Sequence, residues 1–208
     1  MKTTLNTNPS DFALAKSILN GDIITQDEIV KVCGEVVYTD SQIVALATSL
    51  PSVEDLIWCK NNDYAMMPAP PSACSTLDVR EIYKIHFPNK KGGSYNDERY
   101  LQKDRTSFEW LAIRKVPVPK STGLHWFDQT YLLSSELERV PNAAEISWFI
   151  VTYFEVRAIR LFPDVIVRTS SLSDDDPVCT GNFASSLIIE PHSCGERNGH
   201  IGISSARK

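Results

Sequence analysis

Five cations, two tyrosines and a Gly-Gly pair fall within the nineteen residues "FPNKKGGSYNDERYLQKDR", Phe87 to Arg105. Lys90, Lys91, Arg99, Lys103 and Arg105 are the residue types that bind phosphate or carboxylate oxygens, and Tyr95 and Tyr100 are types that stack on bases. Gly92-Gly93 would let backbone N–H groups approach an anion. The stretch lacks the strand, GxxxxGK[ST] and helix context of a phosphate loop, and Asp97, Glu98 and Asp104 dilute its charge. A solvated, charged loop closed by a Gly-Gly turn, with its tyrosines packed inward, is the plainer reading.

The second chemical cluster is "HSCGERNGH", Cys194 flanked by His192 and His200, with Cys179 as the nearest further thiol. These are metal-ligand types, but their spacing fits no zinc module, and Gly195, Asn198 and Gly199 read more simply as a turn. The same residues would serve a Cys/His enzyme if they converged. No G-x-S-x-G, H-E-x-x-H or G-x-G-x-x-G motif occurs. "SDDDP", Ser173–Pro177, lacks the alternate spacing of a calcium loop and reads as a strand-to-strand turn. Glu136 and Glu138, two apart on an expected helix, point to different sides and make no acid/base pair. No metal or cofactor is expected, and no catalytic residue can be assigned.

Charge is distributed unevenly around the basic stretch. Residues 1–79 carry a net −6, residues 80–120 a net +5 and residues 121–208 a net −4, within an overall −5. A positive segment between two acidic ones suits contact with an anionic partner, either nucleic acid or an acidic protein. The five cysteines are odd in number, widely spaced and never C-x-x-C, which points to buried free thiols. The start has no sustained apolar run, and no window approaches the ~20 residues that cross a membrane. The reading is a cytoplasmic chain with no membrane partner.

These residues must be positioned by elements that the sequence punctuates clearly. Asn8-Pro9, Thr25 with Glu28, Thr39 with Gln42, Ser52 and Ser75 open successive short helices in the N-terminal part. "MMPAPPSAC", Met66–Cys74, has three prolines in nine residues and reads as an extended linker, placing a boundary near residue 70. "WLAIR" reads as a strand ended by Pro117 and Pro119, and "HWFDQTYLLSSELE" as a helix. "PNAAEISWFIVTYFEVRAIR" carries a cap at Asn142 and Glu145 and apolar residues on two faces, so it reads as a deeply buried helix, with a strand as competitor. Four short β-rich runs then follow, from "DVIVRTSS" to "HIGISSA", and suggest antiparallel hairpins. The expected fold is α+β: a helical region over residues 1–70, then an α+β unit over residues 71–208 whose small antiparallel sheet packs on a buried helix, with one compact domain as the alternative.

From about residue 75 to the end, "KKGGSY", "WLAIRKVPVPKST", "RVPNAAE", "RLFPDVIVRTSS" and "HIGISSARK" occur in an order that resembles an uncharacterised bacterial protein family found in genomes and mobile elements. That family has no assigned activity. The resemblance implies that the C-terminal two thirds form one scaffold including "SSARK", and it supplies no site residues. Together these readings point to a non-catalytic binding module that uses residues 90–105, with a Cys/His enzyme as the alternative.

Overall fold

A computed structural model of the protein describes residues 9–88 and 99–208. The fold is α+β, with two four-stranded sheets and the helices distributed around them. The N-terminal part holds α1 (Pro9–Leu19), α2 (Gln26–Val32), α3 (Asp40–Thr48) and α4 (Val53–Asn61), followed by strand β1 (Tyr64–Pro68). Then come α5 (Thr76–Ile82), α6 (Tyr100–Lys103), β2 (Trp110–Arg114), α7 (Trp126–Thr130) and β3 (Glu138–Arg139). The last part holds α8 (Ala143–Arg157) and strands β4 (Ile166–Ser173), β5 (Asp176–Gly181), β6 (Ile188–Pro191), β7 (Ile201–Ile203) and β8 (Ala206–Arg207).

The caps form where the side chains call for them. Thr25/Glu28, Thr39/Gln42, Ser75/Asp78 and Asn142/Glu145 each make both hydrogen bonds of a capping box, and Ser52 accepts from the N–H of Asp55. Each satisfies backbone donors that a helix start otherwise leaves open. α8 ends at Ala158, which takes the left-handed conformation with φ 56°.

The proline-rich run at residues 66–74 is not a linker. Its first residues belong to β1, which is fully buried and pairs antiparallel with β2 from Tyr64↔Arg114 to Pro68↔Trp110. β1 is an edge strand, so Pro68, which has no N–H to donate, is tolerated at its end. The side chains of the pair alternate between two cores, as the period of a strand requires. Ala65, Met67, Leu111 and Ile113 join the main core, while Tyr64, Met66 and Ala112 join a second cluster with Ala15 and Leu19 of α1 and Leu56 and Cys59 of α4. Residues on both sides of position 70 therefore share one continuous core, from Ile24 and Leu46 to Phe149, Val167 and Ala206.

α8 lies between the two sheets and is buried on all sides from Ala143 to Tyr153. It touches β2 of one sheet and β4 and β5 of the other. A helix apolar on every face has this one stable position. Trp148 fixes it by donating from Nε1 to the Pro68 carbonyl at 3.0 Å. At its C-terminal end Arg157 gathers the segment after α1, donating to Gly21 O, Ile23 O and Glu28.

The first sheet has the order β1-β2-β8-β3 and the second β6-β5-β4-β7. β4, β5 and β6 form the expected antiparallel meander, but β7 lies parallel to β4. The run "HIGISSA" is thus two strands in two sheets, since β8 leaves to sit between β2 and β3. Gly181, at the end of β5, has φ 146°, and a Cβ there would stand 2.4 Å from the Val165 carbonyl oxygen, so only glycine fits. The expected helix over "HWFDQTYLLSSELE" shortens to α7, and turns lead from it to β3. Among the described residues no helix is long and apolar enough to cross a membrane.

Candidate anion-binding cleft

α6 is a single turn anchored from below. Tyr100 and Leu101 are buried, and this turns Arg99 and Lys103 outward. Four residues apart, they share one side of the turn. Both line an open cleft of about 650 Å³. Its other wall is the β4–β5 hairpin, with Leu172, Ser173 and Asp174, together with Pro191 at the end of β6. Ser173 pairs with Asp176, so Asp174-Asp175 is a two-residue turn, and Asp174 has the positive φ of 53° that such turns need. The acidic run is therefore the strand-to-strand turn expected of it. Among the described residues neither Arg99 nor Lys103 is in an ion pair, and Asp174 is the one carboxylate lining the cleft.

Other members of the expected patch are placed differently. Tyr100 is only 5% exposed and belongs to the main core, so it offers no ring face for stacking. Its position is a correction to the expected binding set, and the reason is that a one-turn helix needs apolar anchors. Arg105 is engaged: Nη1 donates to Ala73 O at 2.8 Å and lies 3.2 Å from Asp78 Oδ2. Burial would raise the Asp78 carboxyl, but bonds from Ser75 and Arg105 outweigh it and hold it below its usual value. Lys90, Lys91 and Tyr95 lie outside the described residues.

The Cys/His set does not form a metal cage or a nucleophile–base pair. Cys179 is fully buried in a small cluster with Ile166 and Ile201, and burial pushes its thiol up to about 12. His192 places Nδ1 3.0 Å from Glu196 and Nε2 3.2 Å from Glu190, so both ring nitrogens face carboxylates and neither is left for Cys194. The Cys194 backbone N–H donates to Asp176, and His200 is exposed. Among the described residues no group of three or more His, Cys, Asp and Glu side chains could hold a metal ion.

What this loop does instead is hold Arg168, a residue that sequence reasoning passed over. Arg168 in β4 is fully buried. Its Nη2 donates to the carbonyls of Ser193 and Glu196 at 3.1 and 2.8 Å, and its Nη1 to Leu124 O and Gln129 Oε1 at 3.1 and 2.9 Å. Burial draws its pKa below the ordinary arginine value. The buried Gln129 passes the network on to Ser121 O and Ile201 O. One signal was available: a lone basic residue inside the β-rich run "DVIVRTSS".

No family model matches the chain, and neither a curated protein nor a solved structure does.

Proposed function

We propose that the protein is a non-catalytic, cytoplasmic binding module of bacterial type that grips an acidic segment of a partner protein. The observation that supports this reading is that Arg99 and Lys103, one turn apart, stand exposed at an open cleft with no ion pair among the described residues. Two cations at that separation suit a pair of partner carboxylates, to which Arg presents a fork of donors. An acidic protein is favoured over nucleic acid because the buried Tyr100 removes a stacking platform for bases.

Fluorescence anisotropy tests this with a labelled Glu-rich peptide and a single-stranded oligonucleotide of equal length, each at low and physiological salt. The peptide is expected to bind, and Arg99→Glu with Lys103→Glu to weaken it by about tenfold or more. Peptide affinity untouched by the double reversal, or no binding of either probe at low salt, overturns the proposal. Tighter, steeply salt-dependent binding of the oligonucleotide would overturn the choice of partner.

A further inference from the structure

We propose a second site, separate from the Arg99/Lys103 cleft: a recess that takes a small zwitterion with an apolar body, as an apolar α-amino acid presents. The recess lies where α4 stops covering the outer face of the first sheet, and its volume is about 280 Å³. Its floor is Cys59, Met66, Trp110 and Ala112, apolar side chains of α4, β1 and β2. Cys59 and Met66 are almost completely buried, and burial pushes the Cys59 thiol up to about 11, so the floor stays neutral. A mostly apolar cavity with a few convergent polar groups is the usual form of a small-molecule site.

The charged rim is built and held from behind. Arg139 makes a bidentate pair with the buried Glu145, at 2.7 and 2.8 Å, and Glu145 also caps α8. Arg207 donates to Asp55 at 2.7 Å and to Leu137 O at 3.0 Å, and lies over the Trp58 ring at 4.8 Å. Its side chain stays 18% exposed, and its guanidinium carries more N–H donors than these two bonds use. Glu109 is the complementary group. Its carboxylate stands 3.8 Å from Arg139, too far for a hydrogen bond, is half exposed, and among the described residues accepts only from the Ser107 hydroxyl. Lys208 completes the rim, with its ammonium on the Ser135 carbonyl.

Charge balance selects the ligand class. The side chains of Arg139, Arg207 and Lys208 face those of Glu145, Asp55 and Glu109, three of each sign. A phosphate dianion would leave uncompensated charge in a half-enclosed space, which is strongly unfavourable. A zwitterion leaves none: its carboxylate accepts from the Arg207 guanidinium, its ammonium donates to Glu109, and its apolar side chain covers Trp110 and Ala112.

Isothermal titration calorimetry of the full chain with L-leucine and L-methionine tests the proposal. The comparison probes are 4-methylpentanoate, which lacks the ammonium, isoamylamine, which lacks the carboxylate, and inorganic phosphate. Saturable binding of the amino acids is expected, with each single-charge analogue weaker by about tenfold or more. Glu109→Gln, at an exposed position, should weaken leucine by about tenfold with an unchanged melting temperature. Ala112→Leu fills the floor and should abolish binding in a protein whose folding is confirmed by its thermal transition. Arg99→Glu with Lys103→Glu should leave leucine affinity unchanged, which separates this site from the cleft. No saturable heat at millimolar amino acid, equal binding of the single-charge analogues, or competition by phosphate overturns the proposal.

Discussion

The side chains that matter most in this protein are held by partners remote in sequence, and their chemistry follows from burial. Four of the five cysteines, Cys33, Cys59, Cys74 and Cys179, are buried, and burial raises the pKa of each thiol. A thiol kept protonated and inaccessible is a poor nucleophile. Cys194 is the partly exposed one. A thiol reagent at neutral pH is therefore expected to label Cys194 rapidly in the native protein and the other four only on unfolding. Mass spectrometry of the labelled peptides checks this, and fast labelling of Cys179 would contradict its burial. Glu28 supplies a pH prediction. Burial would raise its carboxyl, but the bond from Arg157 at 2.8 Å and the capping bonds from Thr25 prevail, and its pKa falls below 4.5. A carboxyl that ionises more readily when folded contributes its full stability above the unfolded pKa and loses it as pH falls through the lower, folded one. Glu28→Gln is expected to reduce urea stability at neutral pH and to flatten the acid limb of the stability curve below about 4.5. Urea midpoints across that range decide it.

At the scale of the element, the sequence was most legible where the determinants are local. Thr25, Thr39, Ser52, Ser75 and Asn142 announced their helices because a cap bonds within three residues of itself. α8 was readable as a buried helix because its apolar residues cover more than one face. Asn142 does more than cap: its Oδ1 accepts from the Glu145 N–H at 2.9 Å and its Nδ2 donates to Arg105 O at 3.0 Å. Asn142→Ala should lower stability by about 1–2 kcal/mol, and Asn142→Asp by less, because Asp keeps the cap and loses only the amide donor. Chemical denaturation of the two variants gives the order. What was illegible depends on distant pairing. The prolines after Met67 suggested a linker because nothing local shows that the preceding residues pair with Trp110–Arg114. Tyr100 sat in a basic stretch, and a one-turn helix is too short to show a period. No local feature of "HIGISSA" says that its halves enter different sheets. The cleft was half legible for the same reason: Arg99 and Lys103 come together, while the hairpin opposite them is some seventy residues away in the chain.

Across the whole molecule, the two cores on either side of the first sheet make the N-terminal helices part of the same folding unit as the rest. α1 and α4 cover one face of β1 and β2 and α8 the other. A fragment of residues 71–208 would leave β2 without its β1 partner and expose Ala112 and Trp110. It is expected to show no cooperative thermal transition by circular dichroism, and a sharp transition would show that it is an independent unit. β8 has a different consequence. Ala206 and Arg207 lie in the interior of the first sheet, hydrogen bonded between β2 and β3, while Ile201–Ile203 closes the second. During synthesis neither sheet can reach its final strand order until β7 and β8, which follow every other strand in the sequence, leave the ribosomal exit tunnel. The nascent chain must hold its apolar faces without their permanent neighbours up to that moment, which makes this interval the one in which chaperone capture has the most to act on.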